Sequence, residues 1–173
     1  IALVLLLLLL AVPARSSEAP TVYHTVRCGD PGPELDGIMD ESCWDLVGWA
    51  GNFTQWQPAE GEAPSQQTRF KVVYDDHARY FGIRAHDSHP ERISDLMARR
   101  DGFPGDWVEV NIDSYGDDRT AFSFTASVSG TRGDELISND GDHWDRSWDP
   151  VWDFATHVDE DGCCLCQGNC PLA

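Results

Sequence analysis

Positive charge is scarce in this 173-residue chain. Twelve Lys and Arg stand against 30 Asp and Glu, for a formal net charge of −18. A surface this acidic repels phosphate backbones, which excludes nucleic acid as a partner. Catalytic signatures are missing as well: there is no Gly-x-Ser-x-Gly, no His-Glu-x-x-His, no phosphate loop and no dinucleotide fingerprint. The six histidines stand singly. Thirty acids make chance carboxylate pairs unavoidable, so the roughly 5–10 Å pair of a glycoside hydrolase is one alternative that composition does not single out. No long amphipathic helical pattern and no internal repeat occurs. The one long apolar run, "IALVLLLLLLAV" at 1–12, is too short for a comfortable membrane span.

That run is followed by "PARSSEAP", with small residues suited to cleavage after Ala14 or Ala19. Residues 1–19 are therefore read as a secretory signal peptide with an incomplete start, an uncleaved anchor being the alternative. Export to the periplasm, cell surface or outer membrane is expected. Residues 20–32 read as a linker. Cys28 and Cys43 could bridge in an exported protein. The other four cysteines crowd "CCLCQGNCPLA" at 163–173. Adjacent Cys163 and Cys164 pair only with strain, and Cys164-x-Cys166-x3-Cys170 is not a standard zinc spacing. "VDEDG" before them predicts a turn into another alternating strand, and no such pattern follows. The end reads as anomalous, a truncation or a frame shift, with the final strands missing.

Between these ends, 33–162 is rich in short two-residue alternations. Phe70, Val72 and Tyr74 alternate with Arg69, Lys71 and Val73. After a turn at Asp75-Asp76-His77, Phe81, Ile83 and Ala85 alternate with Tyr80, Gly82, Arg84 and His86. This predicts a hairpin with one buried and one wetter face. Asp40-Glu41-Ser42 is placed to cap one helical turn before Trp44, and another turn is expected around Ile93–Ala98. In "GDWVEVNIDSYGDDRTAFSF" at 105–124, Val108, Val110 and Ile112 fall on one strand face and Trp107, Glu109, Asn111 and Asp113 on the other. The partner strand sets Phe122, Phe124, Ala126 and Val128 against Ser123, Thr125 and Ser127. Residues 138–150 read as a polar loop and 151–162 as a last strand and turn. The fold class is all-β, an antiparallel β-sandwich of jelly-roll or immunoglobulin-like type, with a barrel as the alternative.

Seven tryptophans are many for this length. Trp44 and Trp152 read as core, whereas Trp56, Trp107, Trp144 and Trp148 fall in loops or on wetter faces. Sugar rings pack their C–H faces on aromatic planes, and their hydroxyls need carboxylate and amide partners. A strand face of Trp107, Glu109 and Asn111 meets both needs, with Arg119 close in sequence. The run Asn139, Asp140, Asp142 and Asp145 offers alternating oxygens suited to a structural calcium, although it lacks the closing Glu of an EF-hand loop. No other cofactor is implied.

"LDGIMDESCWD" at 35–45, "KVVYDDHARYFGIRAHD" at 71–87 and "DWVEVNIDSY" at 106–115, in that order, resemble carbohydrate-binding module family 9. Its pattern runs Asp-Gly-x-x-Asp-Glu-x-x-Trp, an acidic turn into an aromatic strand, then Asp-x-Val-Glu-x-x-x-Asp. "RTAFSFTASVSG", "LISNDG" and "SWDPVWDFATHVDEDG" are similar to a branch found at the front of large bacterial proteins, ahead of an outer-membrane β-barrel region. The resemblance covers about 33–162. It implies a non-catalytic sandwich that binds polysaccharide or oligosaccharide, reducing ends of glucan or xylan in the best-known members, often beside glycoside hydrolases and with calcium bracing its loops. By position, Glu109 matches an acid that contacts sugar. Phe103 falls near one of two tryptophans that sandwich the ring, and Ser123 and Thr125 stand near a polar pair. The resemblance thus implies an exported sugar-binding module of a larger surface protein tied to polysaccharide breakdown. The alternatives are an interaction or plug domain for a downstream barrel and part of a glycoside hydrolase.

Overall fold

The structure, a computed structural model, describes residues 21–160 and 163–171; the expected leader lies outside the described residues. Among the described residues nine strands form: β1 (Val26–Arg27), β2 (Thr68–Tyr74), β3 (Ala78–His86), β4 (Trp107–Ile112), β5 (Ala121–Ser127), β6 (Arg132–Ser138), β7 (His143–Asp145), β8 (Phe154–Val158) and β9 (Cys163–Pro171). They make two sheets, ordered β1-β2-β3-β9-β8 and β4-β5-β6-β7. Every pairing is antiparallel except β1 on β2. The chain is a β-sandwich, not a barrel.

The inner faces of both sheets follow from alternation. Ile83, Phe124, Ala126, Trp152 and Cys166 are buried between the sheets, with Phe70, Val108, Val110, Ile112, Phe122 and Phe154 packed around them. Trp152 meets Phe124 edge-on at 5.3 Å between ring centroids, a favoured aromatic geometry. Burying this apolar surface, at about 25 cal/mol per Å2, is the main term holding the sheets together.

The β2–β3 hairpin forms as its alternation predicts, but its second face is not wet. Residues 23–50 cross it and bury Trp44, Val47, Val73 and Tyr80 in a second core. Lys71 is buried there, and its Nζ donates to the Trp44 carbonyl at 2.6 Å. A 3-10 turn at Ser42–Leu46 positions Trp44, whose Nε1 donates to Glu41 Oε2 at 3.0 Å; no side chain caps the turn. Cys28 and Cys43 form a disulfide, with Cα atoms 5.4 Å apart. The stretch read as a linker thus carries β1 and one half of this tie. The turn expected near 93–98 is instead a short 3-10 turn at Pro90–Arg92.

A strand also forms where none was expected. β9 lies between β3 and β8, paired along its whole length with β3. No apolar alternation marks it, because the position facing the second core is a polar Gln167. That side chain is fully buried. Its amide oxygen accepts from Gly37 N at 2.9 Å and its amide nitrogen donates to the Ile38 carbonyl at 2.7 Å. A buried amide satisfied in this way costs little, so polarity and burial coexist.

At the β2–β3 turn, the buried Asp75 carboxylate accepts from His77 N at 2.7 Å, Ala78 N at 2.8 Å and the Tyr80 hydroxyl at 2.8 Å. Burial alone would raise its pKa, but these donors outweigh burial and hold it below the usual carboxylate range. Burial, reinforced by the bond to Asp75, pushes the Tyr80 phenol up to about 12. A Cβ on Gly32 would lie 2.7 Å from both partners, so the close approach requires glycine. Asp75→Asn is expected to cost roughly 1–3 kcal/mol at neutral pH by urea unfolding. A depressed folded-state pKa stabilises above the unfolded carboxylate value and ceases to as pH falls through the folded one. The gap between wild type and Asp75→Asn should therefore close in acid, and a gap that widens there contradicts this account.

Candidate functional site

On β4, β5 and β6 the outward face of the four-stranded sheet is built by odd-numbered residues. Trp107 pairs with Ser127, Glu109 with Thr125 and Asn111 with Ser123. Thr125 in turn faces Gly133, Ser123 faces Glu135, and Ala121 faces Ile137, which pairs with Trp144 on β7. Small β5 side chains thus lie between taller ones. Ser123, Thr125 and Ser127 are buried, whereas Trp107 is 49% exposed. Asn111 Nδ2 donates to Glu109 Oε1 at 2.7 Å, and the Thr125 hydroxyl donates to Glu109 Oε2 at 3.4 Å. The carboxylate is held upright in the strand and keeps acceptor capacity for further donors.

Phe103 comes to this face from the loop before β4. Its ring centroid is 6.0 Å from that of Trp107, the planes tilted by 51°. It rests on Gly133, where a Cβ would lie 2.7 Å from Phe103 Cε2. The loop is pinned to the free margin of β6: Asp101 N donates to the Arg132 carbonyl at 3.1 Å, and Asp134 N donates to Asp101 Oδ1 at 3.3 Å. Its anchor is Arg100, whose guanidinium meets Asp134 Oδ2 at 2.5 Å and also pairs with Asp149. Asp134 is 1% exposed and takes a further bond from Trp152 Nε1 at 3.0 Å. The hydrogen bond to Asp134 raises the Arg100 pKa against the opposing effect of burial, keeping the guanidinium charged.

β4 is an edge strand, and beside it the two sheets do not close. A cleft of about 480 Å3 opens there, lined by Phe53, Phe70, Phe81, Val108, Glu109 and Asn111. A second of about 200 Å3 reaches Trp107, Asp106, His86 and Thr156. Glu109 and Asn111 therefore border both the outer face and the cleft.

The other expected site residues divide. Trp144 shares the outer face, 44% exposed, its Nε1 donating to the Gly141 carbonyl at 2.9 Å. Arg119 does not reach Glu109; its Nε pairs with Asp140 at 2.8 Å beyond the β4–β5 turn. Trp148 turns inward, 4.8 Å from Phe122 and 5.6 Å from Phe124 between ring centroids, because the loop after β7 folds under the sheet. It belongs to the core. Asp113 leaves the face as well: its carboxylate accepts from the backbone N–H groups of Tyr115, Gly116 and Asp118 and shapes the turn. Asp140 is engaged by Arg119, and Asp145 Oδ1 accepts from Ser147 N and Oγ at 2.9 and 2.6 Å, which lowers its pKa. Asn139, Asp140 and Asp142 lie on the exposed turn between β6 and β7. Among the described residues no three His, Cys, Asp or Glu side chains gather as a metal site. Sequence reasoning missed Arg100, Asp134 and Glu135. The pattern Gly133-x-Glu135-x-Ile137 was the available signal for β6, weakened by the buried charge of Asp134 within it.

No protein-family model matches the chain, and no curated protein matches it. Its fold is similar to that of a carbohydrate-binding module of family 9 from Caldicellulosiruptor kristjanssonii solved in complex with glucose. That likeness has a TM-score of 0.59 at 15% identity, covering 87% of this chain and 70% of the other. A family 9 module from the same organism in complex with cellotriose gives 0.56 at 18% identity, covering 86% and 67%. The shared property is the β-sandwich fold.

Arg100→Ala would strand the buried Asp134 charge and release the Phe103 loop. Arg100 is itself 37% exposed and Asp134 keeps its bond from Trp152, so a loss of roughly 1–3 kcal/mol is expected in chemical unfolding. A variant within about 0.5 kcal/mol of wild type would show that Asp134 does not depend on Arg100.

Proposed function

We propose that the protein is a non-catalytic carbohydrate-binding module that takes polysaccharide or oligosaccharide on the outer face of the β4–β7 sheet. The observation that carries this reading is the half-exposed Trp107 indole, set beside Phe103 and on the same strand face as the hydrogen-bonded pair Glu109 and Asn111. An aromatic plane supports the apolar face of a sugar ring, and a fixed carboxylate and amide beside it serve the hydroxyls. The likeness in fold to modules solved with glucose and cellotriose supports the same reading. So does the net charge of −18, which disfavours polyanionic partners. In this reading the module is exported as part of a larger surface protein, and the Cys28–Cys43 disulfide suits an oxidising compartment.

Affinity gel electrophoresis against soluble glucans and xylans tests the proposal. Retarded migration is expected on at least one polymer. Trp107→Ala should weaken it at least about tenfold, the loss of an aromatic stacking partner, and Glu109→Gln should weaken it less, since an amide keeps one acceptor. Unaltered migration of the folded wild type on every polymer would overturn the reading.

A further inference from the structure

Trp107 and Trp144 stand on one face of one sheet, at opposite corners. Trp107 lies on β4 at the level of Ser127, and Trp144 on β7 at the level of Ile137 and Ala121. Strands lie ~4.8 Å apart and rise ~3.3 Å per residue, which separates the two positions by about 14 Å across the sheet and about 20 Å along it. The diagonal is on the order of 25 Å, several times the width of a sugar ring. Both indoles keep close to half their surface open. Glu135 lies on the diagonal, held by Arg146 Nε at 2.5 Å, and Glu109 and Asn111 lie to one side of it on β4. At its midpoint Ser123 is fully buried, and its Oγ has no hydrogen-bond partner among the described residues.

We infer that this face binds internal stretches of an extended, neutral polysaccharide several rings long, with Trp107 and Trp144 as its two stacking points. This rests on the carbohydrate reading above and narrows its ligand. One ring cannot touch both indoles. A chain laid from one to the other passes over Glu135 and beside the Glu109–Asn111 pair, whose carboxylate and amide groups accept from and donate to hydroxyls. A chain of uronates or sulfated sugars would meet the acidic groups of this face in a protein of net charge −18, so the polymer is uncharged. Trp144 is then a ligand contact and not an incidental surface residue.

Isothermal titration of the full chain with glucose, cellotriose, cellohexaose and soluble β-glucan, and with the matching xylose series, tests this. Affinity is expected to rise at least about tenfold from the single sugar to the longest oligomer. Trp144→Ala should remove most of that gain, and polygalacturonate should not bind. Equal affinity for glucose and for the polymers in the wild type would overturn the inference and leave the carbohydrate reading standing. So would a folded Trp144→Ala variant with undiminished affinity for the longest ligand. Binding of polygalacturonate as tight as that of the neutral polymers would overturn the assignment of an uncharged chain. A wild type that binds none of these ligands would overturn both readings.

Discussion

Asp134 joins three parts of the chain that would otherwise be independent. It sits on the inner face of β6 opposite Phe124, buried in an apolar setting that would not hold a lone carboxylate. Arg100 neutralises it from the loop before β4, and Trp152 donates to it from the segment before β8. Because a buried charge must be paired, the loop that carries Phe103 is tied to the sheet on which it rests. Trp152, held by the same carboxylate, packs against Phe124 and Phe154 in the core between the sheets. The position of the candidate site thus depends on an ion pair whose carboxylate lies on the inner face of the sheet.

The two sheets differ in what covers them. The outer side of the five-stranded sheet is closed by residues 23–50, fastened by the Cys28–Cys43 disulfide, the Lys71 bond to the Trp44 carbonyl and the Gln167 bridges. The outer side of the four-stranded sheet is covered only in part among the described residues, by the loop before β4 that bonds to Ser129 and Thr131 and lays Phe103 on Gly133, and its β4 edge borders an open cleft. Large apolar groups left exposed on a fold able to bury others are informative. Trp107 and Trp144 are in that position, while Trp44 and Trp152 are 1% and 3% exposed.

Local alternation was legible wherever one face of a strand meets the core between the sheets. It correctly placed Val108, Val110 and Ile112 inward, Trp107, Glu109 and Asn111 outward, and the β2–β3 and β4–β5 hairpins. It failed where a polar residue is buried by a distant partner. Gln167 and Asp134 broke the pattern of β9 and β6, so one strand was read as an anomalous end and the other went unassigned. It failed also for Trp148 and Arg119, which lie in loops, because the direction of a loop is not encoded by a period of two.

The amino-acid sequence by itself determined the fold class, the β4 and β5 faces and the acidic balance, since each follows from strand periodicity or from summed charge. Only the tertiary structure decided that both faces of the five-stranded sheet are covered, that Trp148 is core and that Arg119 serves Asp140. It alone brought Phe103 to Trp107 and set Trp107 and Trp144 on one surface. These are meetings of groups far apart along the chain, and what brings them together is the pairing of buried polar atoms, which leaves no local signature in a string of residues.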